Sequence, residues 1–178
     1  MDMRFNIIAT TPRGLEHEGA SELYALLREL GDEAPKIERS QVAGLLLCET
    51  SLSPFDVTRR ASELARVQPE SIRVLRRLIP VERVVRSEVE DISRAAQELA
   101  VKIGEAESYR ITVEKRFTSL SSREIIERVA AGIERKVNLE APDWVVLIEV
   151  IGGITAISVL RPAQILNFRR LAAPPPEG

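Results

Sequence analysis

The run WVVLIEVI at positions 144–151 constrains the fold most. It is nearly all apolar, rich in β-branched residues, and lacks the polar stripe of a surface helix. It therefore reads as a strand buried on both faces. Gly152-Gly153 follows, and ITAISVL at 154–160 returns, so the pair forms a hairpin. Upstream, residues 108–115 form a strand with Tyr109, Ile111 and Val113 on one side. Ser121 and Glu124 are spaced as a capping box that opens a helix. Its apolar stripe is Ile125, Ile126, Val129, Ile133 and Val137.

The first 80 residues carry a different order. Residues 5–10 are a short strand, and 15–30 a helix with Leu23, Leu26, Leu27 and Leu30 at helical spacing before Gly31. An extended piece begins at Pro35, and 42–48 is a strongly apolar strand. Ser53-Pro54 starts a second helix, and the alternation over 72–79 predicts a strand ended by Pro80. The order β-α-β-β-α-β is that of a ferredoxin-like unit. Residues 80–86 read as a connector, and 91–104 as a third helix. The expected fold is α+β: a ferredoxin-like βαββαβ domain over 1–80, a packed α/β domain over 81–168, and a disordered proline-rich tail over 169–178.

Composition excludes several function classes. The single cysteine, Cys48, rules out an internal disulfide, and with one histidine, His17, no conventional zinc cage is available. Cys48 lies in GLLLCET and reads as a small buried hydrophobe. Trp144 is expected in the core beside Pro142. No apolar stretch approaches the ~18 residues of a membrane span, and the N-terminus lacks the features of a signal peptide. A soluble, cytoplasmic protein without metal or cofactor is expected. The net charge of -2 argues mildly against a generic nucleic-acid binder, although a basic patch can coexist with acidic faces.

One polar feature stands out. Lys115 and Arg116 end a strand, and Arg123 sits in the first turn of the next helix, whose N–H groups lack intrahelical partners. Cations beside free N–H donors suit phosphate, and the Ser119–Ser122 loop, Ser121 included, brings hydroxyls to the same place. A solvated loop before a capped helix remains the alternative. Arg73, Arg76, Arg77, Arg83 and Arg86 form a second basic cluster, interleaved with Glu70, Glu82, Glu88 and Glu90 as in a salt-bridged surface. No serine or threonine has a neighbouring histidine, and no phosphate loop surrounds Gly152-Gly153. No catalytic set is visible.

These residues also carry a resemblance. YRITVEKR, SLSSREIIERVAAGIERKV, NLEAPDWVVLIEVIGG and ITAISVLRP resemble a THUMP domain, the RNA-binding module of tRNA-modifying enzymes. NIIATTPRG, ELYALLRELGD, SQVAGLLLCETSLSPFDV and RRLIPVERVV resemble the stand-alone THUMP proteins that assist tRNA cytidine acetylation. The resemblance implies a ferredoxin-like domain followed by THUMP. It also implies a non-catalytic adaptor that binds the acceptor stem and 3′ end of tRNA and presents it to a catalytic partner, the acetyltransferase. Carried over by position, the RNA contacts are Lys115, Arg116 and Arg123, with Ser121, and Arg77 and Arg83 in the preceding segment. The catalytic domains of the larger THUMP enzymes are missing from the pattern. Two other readings stand beside it: a small enzyme built on His17 or a perturbed carboxylate, and an RNA- or protein-interaction module serving another tRNA-modifying enzyme.

Overall fold

The computed structural model describes residues 4–172. In chain order the elements are β1 (Ile7–Thr10), α1 (Glu16–Leu30), β2 (Lys36–Arg39), β3 (Leu45–Glu49), α2 (Pro54–Val67), β4 (Arg77–Pro80), β5 (Arg83–Arg86), α3 (Val89–Leu99), β6 (Ser108–Arg116), α4 (Ser122–Ala131), β7 (Lys136–Val137), β8 (Trp144–Ile151), β9 (Ile154–Leu160), β10 (Leu166–Asn167) and α5 (Phe168–Ala172). They divide into two units. One runs to Pro80 and takes in the chain again from Gln164; the other is Val81–Ala163.

The first unit is an antiparallel sheet in the order β10-β4-β1-β3-β2. The β4-β1-β3-β2 part, with α1 and α2 between its strands, is the ferredoxin-like arrangement that the element order predicts. Leu23, Leu26, Leu27 and Leu30 of α1 meet Ile7, Ala9, Leu46, Cys48, Val57, Ala61 and Leu78 in one core. Burying each of these leucines contributes about 1.5–3 kcal/mol before chain entropy is counted. Gly31 ends α1 at φ +113°: its N–H donates to the Arg28 carbonyl, and the Asp32 N–H to that of Leu27, a Schellman motif. The Asp32 carboxylate accepts from the Thr50 hydroxyl at 2.6 Å and from the Ala34 and Ser51 N–H groups. Burial alone would raise its pKa; these bonds bring it below the usual range.

The second unit is a mixed sheet in the order β5-β9-β8-β6-β7. β6 runs parallel to β8 and β7, while β8–β9 and β5–β9 are antiparallel. Residues on one face of the sheet (Val146, Ile148, Val150, Ile157 and Val159) join Ile92, Ala95, Ala96, Ile125 and Val129 of α3 and α4. β8 is buried on both faces, as its sequence requires. Gly152, at φ +58°, takes the first central position of the two-residue turn between the paired Ile151 and Ile154.

Several elements differ from the sequence expectation. β4 begins at Arg77 and not at Ile72, because the backbone N–H groups of Arg73, Val74 and Leu75 donate to the Glu22 carboxylate and leave the ladder. Residues 83–86, expected as connector, form the edge strand β5. α4 stops at Ala131, where Gly132 caps it, so Ile133 is buried beyond the helix and Val137 is exposed on β7. The second domain does not continue to 168 as expected. The chain returns to the first unit from Gln164, where β10 pairs with β4 and Leu166 and Phe168 enter its core. Residues 169–172, expected to be disordered, lie in α5; the rest of the expected tail lies outside the described residues.

Candidate nucleic-acid interface

β5, β6 and β8 run in one direction, so their carboxyl ends (Arg86, Arg116 and Ile151) share an edge of the second unit. α3 and α4 start just beyond β5 and β6 and bring their N-termini to that edge. Backbone bonds tie the strand ends together. The Gly152 N–H donates to the Arg116 carbonyl at 2.8 Å, and the Ser87 N–H to that of Gly153 at 3.0 Å. An open cleft of about 480 Å³ lies there, lined by Arg86, Ser87, Glu88, Phe117, Thr118, Ser119, Leu120, Gly152 and Gly153. In open sheets with parallel strands, the carboxyl edge is where ligands bind.

The loop between β6 and α4 is held by local bonds. The Ser121 hydroxyl accepts the Glu124 N–H at 3.2 Å, the expected N-cap. Thr118 Oγ1 accepts the Leu120 N–H, and Lys115 Nζ donates to the Leu120 carbonyl at 2.9 Å. That bond uses one of three ammonium protons. Lys115 is exposed. Arg123 is 88% exposed, its Nε 2.9 Å from Glu127 one helical turn on. Such an exposed pair contributes little and yields readily to a phosphate. Arg86, exposed on the cleft wall, reaches only to 3.7 Å from Asp91. Lys115 thus reaches the residue before Ser121, and Arg123 follows two residues after Ser121 in α4. Arg86 lines the cleft, while Glu88 sets a limit on the positive potential of the wall.

The other expected contacts are placed differently. Arg116 is only 24% exposed and spans two carboxylates, with Nη1 2.6 Å from Glu149 Oε2 and Nη2 3.0 Å from Glu114 Oε2. It is the counter-ion of a carboxylate that is 1% exposed, and so it leaves the contact set. Burial, aided by the Glu114 charge, pushes the Glu149 pKa up to about 7 against the pull of the guanidinium. Arg83 opens β5 at the end away from the cleft and pairs with Glu98 at 2.7 Å. Arg77 lies on β4 in the first unit, so the second basic cluster is divided between the two units.

Sequence reasoning passed over Phe117. It directly follows Lys115-Arg116, is 68% exposed, and has φ +54°, which makes it the single non-glycine residue at positive φ among the described residues. A phenylalanine after two cations at a strand end was the available signal. Trp144 was expected in the core. It is half-buried: its Nε1 donates to Glu107 at 3.0 Å, and the Arg161 guanidinium stacks 3.8 Å from its ring centroid. The Trp144 bond, then those from Arg161 and the Gly104 N–H, draws the Glu107 pKa down to about 2. Among the described residues there is no cluster of metal-ligating side chains and no helix long and apolar enough to cross a membrane.

Residues 86–160 match the family model of the THUMP domain. No curated protein matches the chain in sequence. Three solved structures resemble it in fold. PH1313 from Pyrococcus horikoshii Ot3 is 19% identical at TM-score 0.70, over 92% of this chain and 55% of that one. TrmN from Thermus thermophilus is 20% identical at 0.58, over 88% and 46%. A 4-thiouridine synthetase, solved as an RNA complex with bound ATP, is 16% identical at 0.57, over 89% and 42%. The chain therefore spans about half the length of these proteins, and at such identities the likeness is one of fold. The strand-end cleft, the capped α4 and the family match coincide in one stretch of chain, and residues 86–160 constitute a THUMP domain.

Proposed function

We propose that this chain binds tRNA through the strand-end cleft of its THUMP domain and works in tRNA modification. The observation that carries the reading is the coincidence of the family match with an open cleft that Arg86 lines and two helix N-termini face, with Lys115 bonded to the Leu120 carbonyl of its wall and Arg123 in the first turn of α4. Cations and unpaired N–H groups bind phosphate without reading sequence. The 4-thiouridine synthetase with the same fold was solved with RNA, which supports the ligand class. The acceptor stem and 3′ end are the part of tRNA that such a module takes, and recognition rests on shape and the unpaired end.

The role proposed is that of a non-catalytic adaptor which hands tRNA to a separate enzyme, with the tRNA cytidine acetyltransferase as the candidate. The groups that a small enzyme would need are poorly placed. Cys48 is buried, and burial pushes its thiol up to about 12. His17 is exposed, and the carboxylate of Glu22 on the same helix is taken by three backbone N–H groups. Glu149, the strongly perturbed buried acid, is held by Arg116.

The test is reconstitution. The acetyltransferase should modify tRNA faster with this protein present, and the protein alone should leave tRNA chemically unchanged by mass spectrometry of its nucleosides. Turnover by the protein alone removes the adaptor role, and unaltered acetylation removes this enzyme as the partner.

A further inference from the structure

We infer that Phe117 is a stacking platform for one unpaired nucleobase of the bound RNA, a proposal that rests on the tRNA-binding reading above. Its position is hard to explain otherwise. A bulky side chain rarely occupies the left-handed region, and here it does so directly after Arg116, whose carbonyl is fixed by the Gly152 N–H. The same side chain is 68% exposed, so the strained conformation is not compensated by burial within this chain. Backbone strain without a packing gain is the kind found at ligand sites.

The surroundings select the ligand. Phe117 forms part of the cleft wall beside Thr118, Ser119, Ser87 and the Gly152-Gly153 turn. Lys115 lies two residues before it, and Arg123 in the first turn of the next helix. An aromatic face with hydroxyls, glycine backbone and cations within a few residues matches a nucleotide, with the base on the ring and the phosphate on the cations. An apolar peptide partner would gain nothing from those cations. Stacking is also sequence-tolerant, because every base has a π-face.

The test uses Phe117→Gly, Phe117→Leu and Phe117→Tyr with a labelled tRNA transcript. Glycine relieves the positive φ, so Phe117→Gly folds and melts no lower than the wild type. It should nevertheless bind tRNA roughly 5- to 150-fold more weakly, the range for the loss of one base–aromatic stack. Phe117→Leu should lose a similar factor, because it keeps apolar bulk without a π-face, and Phe117→Tyr should keep the affinity. No charge is removed, so the salt slope should not change. A second transcript, trimmed of its unpaired 3′ nucleotides, identifies the base. If trimming abolishes the difference between wild type and Phe117→Gly, the base comes from the 3′ end; if the difference persists, it comes from a loop. Wild-type affinity in both Phe117→Gly and Phe117→Leu overturns the inference while leaving tRNA binding intact. Absence of tRNA binding in the wild type overturns the inference and the parent reading together.

Discussion

Arg116 Nη1 stands 2.6 Å from Glu149 Oε2, and the other carboxylate oxygen of Glu149 is buried without a hydrogen-bond partner among the described residues. The guanidinium is all that makes ionised Glu149 tolerable there. Removing one partner of such a pair leaves an uncompensated charge, which costs about 3–5 kcal/mol. In Arg116→Met the buried acid escapes that cost by staying protonated, so with a wild-type folded pKa of about 7 the variant should lose about 2 kcal/mol at pH 8.

The same pair predicts a pH dependence. Glu149 has a folded pKa of about 7 against an ordinary 4.5. Between those values the folded state binds more protons than the unfolded, so stability falls as pH rises. The contribution is fully present below pH 4.5 and lost by about pH 7. At pH 5 Glu149 is protonated in the folded protein, and Arg116→Met should then cost only about 1 kcal/mol, the worth of a hydrogen bond. Denaturant melts of Arg116→Met at pH 5 and 8 check this. An equal loss at both values would show that Glu149 does not carry the effect.

Glu107 behaves oppositely. Its folded pKa of about 2 lies below the ordinary 4.5, so its contribution is present above pH 4.5 and lost as pH falls toward 2. Trp144 is the sole tryptophan, and its Nε1–H donates to that carboxylate. Its fluorescence should change over this acid range in the wild type. Glu107→Gln should remove the transition, and an unchanged acid titration in that variant would refute the assignment.

Cys48 should be inert to thiol reagents in the native protein. It is fully buried and its thiolate is disfavoured by burial first, then by Asp32 and Glu49. Labelling at pH 8 should proceed only as fast as the first unit opens, and completely in denaturant. Rapid labelling without denaturant would contradict the packing described for β3.

The parts of the fold that were legible in the sequence are those set by local rules. The leucine spacing of α1, Gly31 at its end, Ser121 at the start of α4 and the Gly152-Gly153 turn all act within a few residues. What was not legible depends on distant partners. Val84 and Val85 between arginines look like connector until β9 supplies the ladder for β5. β10 has two residues, and only β4 makes it a strand. The site divides in the same way. Lys115 and Arg123 were singled out because a strand-to-helix junction is a local pattern. Arg116 looked identical to Lys115 in sequence, and only the parallel register that sets Glu114 beside Glu149 gives it another task. The left-handed backbone of Phe117 is likewise a product of the folded loop.

Lys115 and Arg123 make no buried ion pair, so the Lys115→Ala/Arg123→Ala variant should remain folded, within about 1 kcal/mol of the wild type. The most direct test of tRNA binding at this cleft is the salt dependence of tRNA affinity in this variant and in the wild type. The wild type should bind tRNA at low salt and weaken as salt rises. Each phosphate that is no longer neutralised should reduce the log–log slope by roughly 0.7–0.9, so the double variant should bind more weakly with a slope shallower by roughly 1.4–1.8. Wild-type affinity and slope in a folded double variant, or no tRNA binding by the wild type at low salt, would contradict the assignment of the cleft as the tRNA site.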